Sequence, residues 1–443
     1  MADKTLKTRN NDKVMWALLT VLLIFRVTMI LAYPLIIKVM PMWEWTNNDG
    51  YEDIAVNWIE QGVFALQEDC PTASRLPLYP GLIAACYAVV GFHPVSVMLL
   101  QVLLSVATGF MLYGLAKNVF DRRTAVISLL LFILHPQVNN FVFRCATETV
   151  FVFLTMGLLY FTVRYLQTEK RKDLLLVAVF LGLSLLTRQT FMYLALLSIP
   201  VIVIFRVRKQ GIVRISGHMG LAVATVVLIV TPWLARNYAL SGHFPVLQTW
   251  VGQPLFQGTY VSMHMSEFLQ GNKTISELDQ DALGLINAKT DAYLSESMMD
   301  HRPVAREVMA DQHARHLAYQ GLMEDPISSI QMAMINLFLA PVLQMTWKST
   351  AMLMIWNWPL LLVCCVGVCL SFFKKRKAFF GALPVVIVFG YLLSLHAIVW
   401  PQARYILPGL IPFTIFAGYA LSKVWPLNKI PNDEDPEKLR PGV

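Results

Sequence analysis

Long apolar runs, separated by short basic clusters, dominate the chain from Val14 to Lys423. A helix needs about 20 mostly apolar residues to cross a bilayer. Runs that suit this lie at about 14–39, 95–118, 123–137, 148–167, 173–187, 190–206, 216–234, 351–373, 378–398 and 404–422. Two further apolar stretches, 79–92 and 331–346, are short. The first is introduced by Pro77 and Pro80 and ends at Gly91, which suits a helix lying along the membrane surface better than a span. The pattern predicts an all-α polytopic membrane protein with about 10 spans, or 11 to 12 if the short stretches also cross.

Between Ala235 and Ile330 the continuous apolar pattern is lost and polar helix signals take over. Thr274-Ile275-Ser276-Glu277 reads as a capping box, Pro303 as a first-turn proline and Gly321 as a helix stop. The expected organisation is an N-terminal membrane module over 1–234, with an external loop at 40–79 and an interfacial helix at 79–92. A helical external loop or lid over 235–350 follows, then C-terminal spans over 351–425 and a disordered tail over 426–443. Asn272-Lys273-Thr274 is a glycosylation sequon in form only.

Composition agrees with a bilayer as solvent. The chain has 443 residues, 56% hydrophobic and 14% charged, with a mean hydropathy of +0.55. A net charge of +8 would point to nucleic acid in a soluble protein, but here Lys and Arg sit in clusters between apolar runs, the positive-inside pattern. Nucleic acid is therefore not an expected partner. The basic N-terminus, Asp121-Arg122-Arg123, Lys170-Arg171-Lys172, Arg206 to Arg214, Lys374 to Lys377 and the tail from Lys423 mark the cytoplasmic side, which sets both termini there. The first run is too long for a signal-peptide core and reads as an uncleaved helix. The six cysteines, Cys70, Cys86, Cys145, Cys364, Cys365 and Cys369, show no metal or redox spacing.

The same parity directs most unusual polar residues outward. Asn47-Asn48-Asp49-Gly50-Tyr51-Glu52-Asp53 sets three carboxylates just past the first span, at the start of a helix with an apolar face. Partial desolvation there would make Asp49 a usable base; the plainer reading is a helix cap. Glu148 opens a long apolar span, and a carboxylate at membrane depth usually has a role or a partner. Its plainer reading is a cap with Thr147 and an ion pair to Arg144. Arg75, Arg188, Arg236 and Arg404 each fall at an outward terminus, as binding a membrane-anchored phosphate would require, although any one alone could be an interfacial anchor. Arg26 lies inside the first span with no evident partner. His313 and His316 with Asp311 read as a solvated helix face.

At these residues the chain resembles the GT-C superfamily of integral membrane glycosyltransferases, in its bacterial lipopolysaccharide-modifying and protein-O-mannosyltransferase-like branch. The matching pieces are Asp49-Gly50-Tyr51 with Ile54-Ala55 and Gly62, Arg75-Leu76-Pro77-Leu78-Tyr79-Pro80, His135-Pro136 with Thr147-Glu148, and Leu186-Thr187-Arg188. Later come Pro232-Trp233 with Arg236-Asn237-Tyr238, Thr249 with Gly252, and Arg404-Tyr405 with Leu407-Pro408. The resemblance implies a GT-C fold, a polyprenyl-phosphate-linked sugar donor, and a glycolipid, glycan or protein acceptor. Reaction at the periplasmic face of a bacterial inner membrane follows, with Asp49 as the essential acid and Glu148 as the second. Arg236, Arg404 and Arg188 would hold the donor phosphate, with Tyr51, Arg75, Tyr79, Asn237 and Tyr405 supporting the loop or the substrate. No cofactor is certain, and a divalent cation between Asp49 and Glu148 stays open. The mannosyltransferase branch carries an Asp-Glu pair where Gly50 stands here, which argues against protein O-mannosylation. An O-antigen polymerase or ligase, or a lipid flippase or transporter, remains an alternative.

Overall fold

The computed structural model describes residues 12–39, 45, 49–194, 212–244, 246–296 and 302–424. It is overwhelmingly helical. Six described helices are long and apolar enough to cross a membrane: Lys13–Leu31, Pro94–Val119, Glu148–Thr168, Ser216–Ser241, Trp347–Lys374 and Ala403–Val424. Each overlaps a predicted span. The predicted spans 123–137, 173–187 and 378–398 correspond to shorter helices, Arg122–Leu134, Arg171–Leu185 and Leu383–Ile398, of 13, 15 and 16 residues. At 1.5 Å per residue these cover only about 20–24 Å, against ~30 Å of hydrocarbon. The predicted span 190–206 lies mostly outside the described residues, and the tail 426–443 wholly so. The stretches 79–92 and 331–346 appear as the short apolar helices Leu78–Val90 and Pro326–Leu339.

Local chemistry accounts for where helices begin. Pro94, Pro136, Pro303 and Pro326 each open a helix, where the missing N–H would have had no helical partner anyway. Asp121 and Asp325 cap helices by accepting from Thr124 N at 2.8 Å and Ser328 N at 3.0 Å. The capping box is reciprocal: Glu277 N donates to Thr274 Oγ1 at 3.2 Å and Thr274 N to Glu277 Oε2 at 2.6 Å. Gly321 is a correction, because the helix Pro303–Glu324 runs through it and stops at Asp325 before Pro326. A proline forces its predecessor out of helical backbone more strongly than one interior glycine, costing about 1 kcal/mol, interrupts a helix. The first apolar run also breaks, at Ala32, into Lys13–Leu31 and Tyr33–Val39.

The bundle is organised around Ala403–Val424, whose residues from Ile406 to Ala420 are all buried. It packs against Trp347–Lys374, Arg122–Leu134, Leu383–Ile398 and Glu148–Thr168. Small residues allow the close approaches, as is common between membrane helices. A Cβ on Gly367 would lie 2.0 Å from the Phe416 carbonyl oxygen, and one on Gly418 2.7 Å from that of Thr124. At one end of the bundle the basic clusters meet acids: Lys375 Nζ is 3.6 Å from Asp121 Oδ2, and Asp12 pairs with Arg122 at 2.9 Å and Lys117 at 3.2 Å.

After Gly50 the first loop forms the helix Tyr51–Glu60 and then a two-stranded antiparallel ribbon, Ala65–Gln67 with Cys70–Pro71. This ribbon is the one departure from the all-α expectation among the described residues, and a left-handed turn at Asp69 closes it. The helices Gly252–Met263, Ile275–Glu296, Pro303–Glu324 and Pro326–Leu339 fill the polar insertion.

Candidate active site

Arg404 stands in the first turn of the central helix Ala403–Val424, so its guanidinium is carried by the most enclosed element of the bundle. Its Nη1 is 3.8 Å from Asp49 Oδ2, and its Nε is 3.9 Å from Glu148 Oε1. Nη2 donates to the Tyr405 hydroxyl at 2.5 Å. Two carboxylates about 100 positions apart in sequence are thereby brought to one arginine.

Glu148 is the first residue of Glu148–Thr168 and is almost wholly buried. Arg188 answers it: Nη2 donates to Glu148 Oε1 at 2.7 Å and Nε to Thr147 Oγ1 at 2.9 Å. The ion-pair partner is thus Arg188, not Arg144. Arg188 also lies over the rings of Tyr405 and Phe151, at 5.1 and 5.4 Å, and Tyr405 stacks on His396. Behind Glu148 a cavity of about 10 Å³, lined also by Ser105, Thr108 and Thr149, is large enough for one water and too small for a sugar.

Asp49 is more open, with its side chain 37% exposed. The capping position of Tyr51–Glu60 belongs to Gly50, at φ +71°, so Asp49 is not the cap and its carboxylate is turned to Arg404. A Cβ on Gly50 would lie 2.3 Å from Leu66 Cδ2, so that side chain would have to shift, and the left-handed backbone disfavours any side chain at this position. Glu52 is occupied elsewhere, accepting from Trp45 Nε1 at 2.9 Å and from the Tyr87 hydroxyl.

Arg75 Nε donates to the Asp49 carbonyl at 2.8 Å and Nη1 to the Ser74 carbonyl at 3.2 Å, and the guanidinium lies 3.7 Å above the Trp250 ring. This is the geometry of a loop support. Tyr51 packs edge-on against Tyr79 at 5.2 Å, and burial, then the nearby Asp49 charge, pushes its phenol pKa up. The Tyr79 hydroxyl donates to Gln101 Oε1 at 3.4 Å.

Arg236, expected in the phosphate set, is held by the first loop. It does not join Arg404: Nη1 donates to the Thr72 carbonyl at 2.8 Å and to Asn237 Oδ1 at 2.9 Å, and Nη2 to the Phe64 carbonyl at 3.2 Å. Its planar fork matches backbone carbonyls of the first loop as readily as phosphate oxygens, and sequence cannot separate the two. Asn237 continues that grip, donating to the Val246 carbonyl at 3.0 Å.

The charges nearest to Asp49 and Glu148 are guanidiniums. Arg404 lies against both, and Arg188 holds Glu148, so a divalent ion there would meet two guanidiniums. Among the described residues no group of three or more His, Cys, Asp or Glu side chains could hold a metal ion. Arg26 is completely buried and donates to Asn139 Oδ1 at 3.1 Å, which names its partner.

Sequence reading missed the contribution of the helix Pro303–Glu324. Asp311, expected on a solvated face, is buried and accepts from Val251 N at 2.7 Å and Gly252 N at 2.6 Å, capping the helix Gly252–Met263. Glu307, one turn earlier on the same face, accepts from Thr72 Oγ1, Ala73 N and Thr249 Oγ1. The available signal was the i, i+4 spacing of two acids beside apolar Val304 and Val308.

The fold is of the GT-C type expected from the sequence. Residues 71–235 match the model of the dolichyl-phosphate-mannose-protein mannosyltransferase family. The apo oligosaccharyltransferase of Archaeoglobus fulgidus superposes with a TM-score of 0.54 at 14% identity, over 94% of this chain and 51% of that one. The same enzyme tethered to an acceptor peptide with an NVT sequon gives 0.52 at 13% identity, over 94% and 50%. The chain thus spans about half the length of these archaeal proteins. ArnT from Cupriavidus metallidurans in the apo state gives a TM-score of 0.40 at 15% identity, over 89% and 76%. No curated protein matches the sequence.

Proposed function

We propose that the protein is an inverting membrane glycosyltransferase that moves a single sugar from a polyprenyl-phosphate carrier to a glycolipid, glycan or protein acceptor. The observation that carries this reading is the convergence of Asp49 and Glu148 on Arg404 at the mouth of the bundle. The match of residues 71–235 to a family named for a lipid-phosphate sugar donor supports it. In this reading Asp49 takes the proton of an acceptor hydroxyl. The freed oxygen attacks the anomeric carbon, and the bond from that carbon to the phosphate oxygen breaks. Polyprenyl phosphate leaves with the electron pair, and the configuration inverts.

Arg404 stabilises the charge growing on the leaving phosphate, an effect strengthened where water is scarce. Arg188 holds Glu148 in place, and its remaining Nη1 is available to the phosphate. Glu148, pinned between two guanidiniums, fixes Arg404 in the orientation that meets Asp49. The helices of the 235–350 segment act as a lid over the acceptor side. In this reading the site faces the periplasm of a bacterial inner membrane with both termini cytoplasmic, the side that the positive-inside pattern supports.

The deciding experiment supplies purified protein in proteoliposomes with synthetic polyprenyl-phosphate sugars and scores release of free polyprenyl phosphate. Lipid that crosses the bilayer with no donor consumed would instead establish a flippase. Consumption only of pyrophosphate-linked oligosaccharide would establish a polymerase or ligase. A panel of donor sugars in the same assay identifies the sugar.

A further inference from the structure

The carboxylate of Glu307 reaches across 235 positions of sequence to the first loop. Oε1 accepts from the Thr72 hydroxyl at 2.5 Å, and Oε2 from the Ala73 backbone N–H at 2.9 Å and the Thr249 hydroxyl at 2.8 Å. Thr72 and Ala73 are buried, so these donors have no easy recourse to water. Ala73 is two residues from Arg75, and Thr249 is next to Trp250. Glu307 therefore organises both surroundings of Arg75, the backbone that carries it and the ring on which its guanidinium lies. Thr249 N closes the arrangement by donating to the Ala73 carbonyl at 3.0 Å, and Gln248 Nε2 donates to the Ser74 carbonyl at 3.1 Å. Arg75 in turn donates to the carbonyl of Asp49.

We propose that Glu307 is a positioning residue: through Ala73 and Arg75 it sets where Asp49 stands relative to Arg404. The lid segment then controls the geometry of attack and does more than cover the site. The proposal rests on the reading of Asp49 as the base. The hydrogen bonds of Glu307 reach neither Asp49 nor Arg404, so it acts on the reaction through this chain of contacts. The helix that carries it is independently fixed by Asp311, which caps Gly252–Met263. A shift of that helix on acceptor binding would thus be passed to Asp49.

The test compares full-length wild type, Glu307→Ala, Glu307→Gln and, as control, Glu324→Gln at the exposed end of the same helix. In Glu307→Ala, hydrogen exchange should quicken about fivefold or more over 72–76 and 49–54, with exchange in the membrane helices unchanged and only a small fall in Tm. Turnover should fall about tenfold while the donor KM stays within about twofold, since a small displacement of a base costs rate more than binding. Glu307→Gln, which keeps one acceptor oxygen, should fall between, and Glu324→Gln should match wild type. Unchanged exchange over 49–54, or faster exchange spread evenly with the membrane helices included, overturns the proposal. Should wild type release no polyprenyl phosphate, the reaction reading fails, yet exchange over 49–54 still decides whether Glu307 governs that segment.

Discussion

Gly50 shows how one residue shapes the site. Its left-handed backbone and the nearness of Leu66 mean that Gly50→Ala should cost about 1–2 kcal/mol, as expected for a side chain forced into that region. A lower unfolding temperature in detergent, with reduced turnover, is the expected result; an unchanged pair of values would show that the turn relaxes freely. Asp49→Asn tests the proposed base, and turnover should drop at least about 10²-fold with the fold intact. The Glu148–Arg188 pair makes a different demand. Removing one partner leaves a buried charge, so Arg188→Met should destabilise by about 3 kcal/mol. The double variant with Glu148→Gln should regain much of that loss, because no uncompensated charge then remains. Recovery of Tm without recovery of turnover would separate the electrostatic role of the pair from its part in the reaction. Simple additivity of the two losses would argue against direct coupling.

Among elements, the long spans were readable because a bilayer imposes length and apolarity on every crossing helix, and both are written directly in sequence. Proline-opened helices and the Thr274–Glu277 box were readable because their partners lie within one turn. The grip of Pro303–Glu324 on the first loop was not, since nothing local in Glu307 or Asp311 names a partner so far along the chain. The start of the first span depends on such a distant contact too. Asp12 meets Tyr113, Arg122 and Lys117. Burial alone would raise its carboxyl pKa, but hydrogen bonds from those three outweigh it and hold the pKa below the ordinary 3.8. A depressed carboxyl contributes stability that is fully present above its unfolded value and is lost as pH falls through its folded one. Asp12→Asn should therefore lower the Tm near neutral pH, and the gap to wild type should close as pH drops below 3.8. A gap independent of pH would mean that the asparagine disturbs packing rather than charge.

At the scale of the whole molecule, the legible part of the site was the grouping of its charged residues. Counting spans between basic clusters assigned Asp49, Glu148, Arg188 and Arg404 to one face, and the fold brings those four together at one end of the bundle. Parity had no power to separate Arg404 from Arg236, because both stand at the same end and differ only in what they touch. Of the expected cytoplasmic markers, Lys375 faces Asp121 at 3.6 Å, and beside the 170–172 cluster Asp173 pairs with Arg164 at 3.3 Å. Which end faces outward is open to direct measurement with a native reporter. Cys70 is exposed on the first-loop ribbon, while Cys145 and Cys364 are buried and Cys86, Cys365 and Cys369 lie along the apolar helices Leu78–Val90 and Trp347–Lys374. A membrane-impermeant maleimide added outside intact spheroplasts should therefore modify the protein, and Cys70→Ser should abolish the signal. Labelling that appears only after the membrane is opened would put the Asp49 loop in the cytoplasm. The donor would then have to present its sugar on that side, and the periplasmic assignment of the reaction would fall while the geometry around Arg404 stood.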